Sequence, residues 1–519
     1  MLAELLSRQD LVKLGRTSRR CFAITTGFVW REVWGVHNLF KLILGAKCIN
    51  RSHGDVWSLS LPDLNTANLT RFKFYAPYVT CLHILPDLAA KYRFSDWKQL
   101  SGYAAKAALL PNLETIAFES ANTKDDVFIR WITPFLSAKV SAVYTHSVRW
   151  RHEANISGRR AATLLNAISK RCTAITDLSV FPVDPYVWKS SLVDEDSDED
   201  NLKISGKSGP RANTKPSAGI EDELDSELIT PPSFYDYLRP MCNLQNLTTT
   251  SFIIISEAIE VLASLPNLKK IHLYCSFPNE YIVYELSPKY PEHPFRSLRA
   301  LELLLPDMEC IPQVWSLAPL VTNLTELTVH LQTGDGDVDD DYFSDEEFAS
   351  TRNFLAFIPE LCKRSPNIQK LVVDFDATDG EFHQAVSLET LKSLVTLPLQ
   401  TLDLRHASLE NVPQACQTLE QCSTLRNLHL QDQKVTYEHL VCFSQIPGLE
   451  LFHAEIRWGD IRGLQKHKES RSPRTSDIMF LQCSIGLKNL QTTDANTAED
   501  ILRCVLLIAR MIQALQLEH

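Results

Sequence analysis

The chain holds a few stretches whose residue types and spacing could do chemistry, and each lacks a part its chemistry needs. Gly206-Lys207-Ser208 ends like a phosphate-cradling loop. That loop also needs a glycine at position 201 and a strand before it, and position 201 is Asn201. Asp335, Asp337, Asp339 and Glu346 stand at the first, third, fifth and twelfth places of a calcium loop. The sixth place, where only glycine makes the sharp turn, is Asp340. Ser190, Ser197 and Ser344 each precede acidic residues, as phosphorylated serines do, but a solvated loop accounts for the same composition. There is no G-x-S-x-G, and no Ser/His/Asp or Cys/His arrangement can be placed. The 13 cysteines include no C-x-x-C, the closest interval being Cys416 to Cys422. They read as small apolar residues in a reducing compartment. The chain therefore reads as non-enzymatic, with no cofactor and no metal.

The elements that would have to carry any site come next. At 519 residues the chain is too long for a single core, so it is several domains or a repeat array. A composition 45% hydrophobic and 22% charged suits soluble globular material. The net charge of −11 argues against nucleic acid as the partner, because phosphate contacts need a basic face. Arg8, Asp10, Lys13, Arg16, Arg19 and Arg20 break up any secretory signal, and Arg503 and Arg510 interrupt the most apolar stretch, Ile501 to Leu517. The expectation is a cytoplasmic or nuclear protein that is neither secreted nor bound to membrane. Of the four N-x-[ST] sequons, at Asn68, Asn155, Asn246 and Asn323, three read N-L-T with a leucine that suits the core, so the matches are read as incidental.

One pattern recurs along the chain: apolar residues at positions 1, 4 and 6 of a short segment. The clearest copies are Leu113-Ile116-Phe118, Ile175-Leu178-Val180, Leu268-Ile271-Leu273, Leu298-Leu301-Leu303, Leu324-Leu327-Val329, Ile368-Leu371-Val373, Leu399-Leu402-Leu404 and Leu425-Leu428-Leu430. Weaker copies start at Leu69, Val140, Leu244, Leu449 and Leu490. From Leu244 onward the copies follow at steps of 24, 30, 26, 44, 31, 26 and 24 residues. Positions 4 and 6 have the alternation of a strand, and the rest of each unit suits a helix, as in Ser256 to Leu262 or Asn353 to Cys362. One strand and one helix per 24 to 31 residues predict an α/β leucine-rich-repeat solenoid, a curved parallel sheet with helices on its convex side. A doubly wound α/β domain also alternates strands and helices, but it does not hold the same apolar phase from copy to copy.

The long steps mark insertions. Gly334 to Glu347 is an acidic loop. Residues 190–229, with the run Val193 to Asp200, are too charged and too poor in aromatics to repay ordering and are predicted to be disordered. Lys466 to Ser476 reads as a basic surface loop. Thr497 to Asp500 opens a helix with an apolar stripe, Ile501, Val505, Ile508, Ile512 and Leu515, which suits a C-terminal cap over 497–519. The predicted organisation is a helical segment at 1–45, repeats at 46–189, the insertion at 190–229, and repeats with their cap at 230–519.

At the N-terminus Ser7 and Asp10 form a helix-start box. Leu11, Leu14, Ser18, Cys21 and Phe22 then share one helical face, opposite Lys13, Arg16 and Arg20, and a short second helix is predicted around Phe28 to Trp34. Ser7 to Ser18 (SRQDLVKLGRTS) with the closing Phe28-Val29-Trp30-Arg31-Glu32-Val33 resembles the middle and end of an F-box. F-boxes open with Leu-Pro and a full first helix. Met1 to Leu6 carries no Leu-Pro, so the match starts part-way into the family pattern. An F-box ahead of leucine-rich repeats is similar to the substrate receptors of SCF-type ubiquitin ligases. The resemblance implies that Leu11, Leu14 and Trp30 face a Skp-type adaptor that leads to a cullin, and that the repeats select a protein substrate.

In each strand positions 1, 4 and 6 turn to the core, so positions 3, 5 and 7 face the concave surface. This sets His272, Glu302, Thr328, Val372, Asp403, His429 and His453 in one column. Tyr274, Leu304, His330, Asp374, Arg405, Gln431 and Glu455 fall in the next. The expected partner-binding residues are Tyr274, Glu302, Leu304, Val372, Asp403, Arg405, His429, His453 and Glu455, with exposed Leu304, Val372 and Tyr274 as apolar anchors among charges. His429 and His453 could share a metal, but no cysteine or carboxylate completes their set.

Overall fold

A computed structural model describes residues 6–50, 56–86, 91–118, 127–145, 155–183, 234–254, 256–274, 289–305, 310–332, 355–376, 384–456 and 480–483. Outside them lie both acidic segments, Gly206 to Ser208, the basic loop, the copy at Leu490 and the helix expected at 497–519. The chain divides into two compact units, Met1–Leu265 and Pro266–His519.

The first unit opens with α1 (Arg8–Gly15) and α2 (Arg19–Arg31). Ser7 caps α1 by accepting the Asp10 N–H, as its spacing predicts, and Ser18 caps α2 by accepting the Cys21 N–H. The turn at Ser18 divides the stretch expected to be one helix, and α2 takes in most of the expected second helix. Phe28 to Arg31 is helical, but Glu32–Trp34 is β1, the first strand of a parallel ladder that begins inside segment 1–45.

Among the described residues six further helices and ten strands complete this unit. The helices are α3 (Val36–Phe40), α4 (Thr70–Tyr75), α5 (Trp97–Ala104), α6 (Val127–Ile132), α7 (Gly158–Arg171) and α8 (Ser256–Ser264), with 3₁₀ turns such as Thr133–Phe135. The strands are β2 (Lys47–Asn50), β3 (Val56–Ser60), β4 (Cys81–His83), β5 (Lys91–Phe94), β6 (Thr115–Ala117), β7 (Ala142–Tyr144), β8 (Asn155–Ser157), β9 (Asp177–Ser179), β10 (Phe181–Val183) and β11 (Asn246–Thr250). Strands β1, β4, β6, β7, β9 and β11 pair in that order, all parallel. The other strands form small side sheets, β2-β3-β5 and β8-β10. Trp131 closes the first of these with Tyr92, Phe94 and Trp97 at ring distances of 4.6–5.2 Å.

The second unit is an eight-strand parallel ladder: β12 (Lys270–Tyr274), β13 (Ala300–Leu305), β14 (Glu326–Gln332), β15 (Lys370–Asp376), β17 (Thr401–Arg405), β19 (Asn427–Val435), β20 (Leu451–Ile456) and β21 (Phe480–Cys483). A side pair joins β16 (Gln384–Val386) to β18 (Ala407–Leu409). Its helices are α9 (Cys310–Ser316), α10 (Ala318–Val321), α11 (Ile358–Arg364), α12 (Leu388–Leu394), α13 (Val412–Leu419) and α14 (Tyr437–Phe443). In α13 Val412, Ala415, Cys416 and Leu419 recur at helical spacing and are buried, and Asn411 caps the helix by accepting the Gln414 N–H.

Leucine-rich-repeat architecture is visible in one backbone device. The carbonyl of the residue after each position 1 accepts two N–H groups from the next repeat: Glu114 and Thr115 bind Thr80 O, Thr325 and Glu326 bind Arg299 O, and Arg426 and Asn427 bind Gln400 O. The leucines at positions 1, 4 and 6 of the eight clear copies are buried, so each unit shares one continuous core. Buried Leu247 and Leu324 agree with the reading of their sequons as core.

The same device corrects one copy and adds one. Leu69 stands at the N-cap of α4, while the strand belongs to Val79-Leu82-Ile84, all fully buried, with Thr80 O as the accepting carbonyl. The Thr80 N–H binds Arg31 O, which makes Trp30 position 1 of the first repeat and Val33 its position 4. Strand β21 lies between the basic loop and the copy expected at Leu490, where the pattern marks no strand.

Candidate protein-recognition face

Strand alternation turns Ile271 and Leu273, Leu301 and Leu303, and Leu402 and Leu404 inward, leaving positions 5 and 7 on the opposite face of the second unit's sheet. The first column is in register throughout: His272 opposite Glu302, then Thr328, Val372, Asp403, His429 and His453. The second holds register from Tyr274 through Leu304, His330 and Asp374 to Arg405.

Glu455 departs from that column. The pairing of β19 with β20 shifts between Leu430 and Lys434, so Glu455 lies opposite Lys434 and not Gln431. The extra residues go to a local bond: buried Gln433 accepts the Leu409 N–H on its Oε1 at 2.6 Å. The expected apolar anchors also change character. Tyr274, Leu304 and Val372 are 8%, 9% and 6% exposed, Leu304 and Val372 on strands paired on both sides. The Tyr274 ring stacks on His272 at 4.4 Å.

What this face presents is a chain of charges alternating in sign. Glu302 receives Lys270 Nζ at 2.6 Å, His272 Nε2 at 3.5 Å and His330 Nε2 at 3.7 Å. His330 Nδ1 lies 3.2 Å from Asp374, which Arg405 reaches at 3.3 Å. Arg405 reaches Asp403 at 3.1 Å, two residues earlier on its own strand. Beyond it the His429 and His453 rings meet edge to face at 5.8 Å.

Burial alone would raise the Glu302 carboxyl, but the hydrogen bond with His330, the charge of His272 and the Lys270 ammonium hold it down to about 2. Burial works against the charged His330 ring as well, yet bonds to Asp374 and Glu302 lift it to about 9. Asp374 is held below the usual carboxylate range by His330 and Arg405 against its own burial. At His429 burial lowers the imidazole, so that ring stays neutral more readily than its ionic neighbours. Lys270, at position 3, completes the Glu302 cluster and was absent from the expected set. The pattern could have found it, since position 3 shares the open face and Ala300 opposite leaves it room.

At the N-terminus the three expected adaptor-facing residues part company. Leu14 is exposed, but Leu11 is buried where α1 packs on α2. Trp30 is half-buried against the Tyr75 ring at 4.5 Å, less covered than position 1 of the later repeats. The exposed apolar side chains of α2 are instead Phe22, Ile24 and Phe28, of which Ile24 and Phe28 are one turn apart on the same side.

No protein-family model matches the chain, and no curated protein matches it. Solved structures do. An internalin (inlF) from Listeria monocytogenes is 13% identical, with 81% of this chain and 86% of that one covered and a TM-score of 0.30. The TLR13–ssRNA13 complex is 12% identical over 75% of this chain and 48% of that one, TM-score 0.26. The Arabidopsis receptor kinase HAESA ectodomain, solved with an N-terminally extended IDA peptide hormone, is 13% identical over 74% and 51%, TM-score 0.23. The chain thus spans about half the length of the last two. Scores of this size carry no weight for what the chain binds.

Proposed function

We propose that the chain is a protein-recognition subunit that takes a protein partner on the open sheet face of its second unit. The observation that carries this reading is the alternating charge chain from Lys270 to Arg405. Its side chains are already pinned by one another, so a complementary charged surface would bind without the entropy of ordering long side chains. Arg405 and Lys270 keep about two-fifths of their side chains in solvent, leaving donors for a partner's carboxylates.

In its finer form the proposal makes the chain the substrate receptor of an SCF-type ubiquitin ligase, with α1 and α2 docking a Skp-type adaptor and, through it, a cullin. Its support is the F-box resemblance together with exposed Leu14, Ile24 and Phe28 on that helix pair. Buried Leu11 and covered Trp30 favour the second reading, a stand-alone repeat scaffold whose N-terminal helices serve only to close the first repeat.

Co-purification with a Skp-type adaptor separates the two. The receptor reading expects the adaptor to be retained by the wild-type chain and lost from an Ile24→Asp, Phe28→Asp variant with unchanged circular dichroism. An adaptor that never associates with the wild-type chain removes the ligase reading and leaves the scaffold.

A further inference from the structure

The edge of the first unit's ladder gathers three metal-ligating residue types. Cys81 and His83 are two apart on β4, so both side chains leave the same face while Leu82 between them is fully buried. Strand β1 runs parallel beside β4 with Glu32 opposite Cys81 and Trp34 opposite His83. The ligand atoms of Glu32, Cys81 and His83 all lie within 4.8 Å of one another. His83 Nε2 is the hub, 3.1 Å from Glu32 Oε1 and 3.6 Å from Cys81 Sγ. Four-coordinate bonds of about 2.0–2.3 Å place neighbouring ligand atoms roughly 3.3–3.7 Å apart, so the Cys81 distance matches a shared tetrahedral centre and the Glu32 distance needs only a small outward shift of an exposed side chain.

The surroundings hold the donors in place. The Trp34 indole stacks on the His83 ring at 3.6 Å and within 5° of parallel, and its Nε1 donates to Glu32 Oε1 at 2.9 Å. One aromatic side chain thus fixes both the imidazole plane and the carboxylate, the service that outer residues perform at protein metal sites.

We propose that Glu32, Cys81 and His83 form a binding site for a borderline-soft divalent cation of the zinc class. The donors are one thiolate, one imidazole and one carboxylate. Thiolate and imidazole together select such an ion over magnesium or calcium, which take all-oxygen shells. The carboxylate is 52% exposed, so the fourth position opens to solvent or to a partner's ligand. Binding displaces the Cys81 thiol proton and takes up the lone pair of His83 Nε2, and no electron is transferred. Cysteine spacing does not reveal the set, because its carboxylate stands 51 residues before its histidine and only the parallel register joins them.

Cobalt(II) titration of the full-length, metal-stripped chain tests the site, read by thiolate-to-cobalt charge-transfer absorption and by competition with zinc. The wild type should show that absorption and lose it when zinc is added. Cys81→Ser should abolish it, and Cys48→Ser should not. Glu32→Gln, a conservative change at a half-exposed side chain, should weaken binding by roughly tenfold or more with the fold unaltered. Absence of charge transfer in the wild type, its persistence in Cys81→Ser, or unchanged affinity in Glu32→Gln would each overturn the assignment.

Discussion

At the scale of single residues, the Glu302–His330–Asp374 cluster ties the second unit's stability to pH. His330 is raised from an ordinary value of 6.5 to about 9, so its contribution is full below about 6.5 and fades as pH rises through 9. Glu302 is lowered from 4.5 to about 2, so its contribution is full above about 4.5 and fades as pH falls toward 2. Together the pair acts at full strength between about pH 4.5 and 6.5. In denaturant titrations His330→Gln should cost roughly 1.5–3 kcal/mol in that window, the range for hydrogen bonds to charged groups, and markedly less above pH 9. A cost that does not change with pH would show that His330 acts through packing alone. His37 in the first unit behaves in the opposite sense. Burial, helped by the Lys41 charge, lowers it to about 4, so the neutral ring's contribution is full above about 6.5 and is lost as pH falls toward 4.

At the scale of elements, position along the repeat decides what a side chain does, and one contrast tests the corrected register. Leu82 is position 4 of the repeat that starts at Val79, whereas Phe74 would be position 6 of the copy read at Leu69. Leu82 is fully buried and Phe74 is 49% exposed on α4. Leu82→Ala should therefore destabilise by about 2–5 kcal/mol, and Phe74→Ala by well under half of that. The reverse order would restore the Leu69 register. The same contrast shows what could be read in the sequence. The eight clear copies were legible, as were the Ser7 cap and the columns from His272 to Arg405, because they follow from period alone. The copy at Val79 was hidden because Leu69-Phe72-Phe74, just upstream, offered the same spacing on a helix. The position of Glu455 was not legible, since a register shift leaves no mark on apolar periodicity. Nor was the burial of Tyr274, Leu304 and Val372, because the period places them on the open face without saying how closely their neighbours pack.

At the scale of the whole molecule, each unit is a stretch of parallel strands with its leucines turned one way and its polar residues the other. Among the described residues no helix is long and apolar enough to cross a membrane. The recognition proposed for this face rests on charge order and not on apolar anchors, so association should slow with added salt. The measurement that bears most directly on the central claim compares partner sets captured by the full-length chain and by two variants, each checked for an unchanged fold. Arg405→Glu with Lys270→Glu reverses the open face, and Lys392→Glu changes an exposed lysine of α12 on the helical side. Recognition by the sheet face predicts partners bound by wild type and by Lys392→Glu but released from the double variant. Partners retained by the double variant and lost from Lys392→Glu would contradict it.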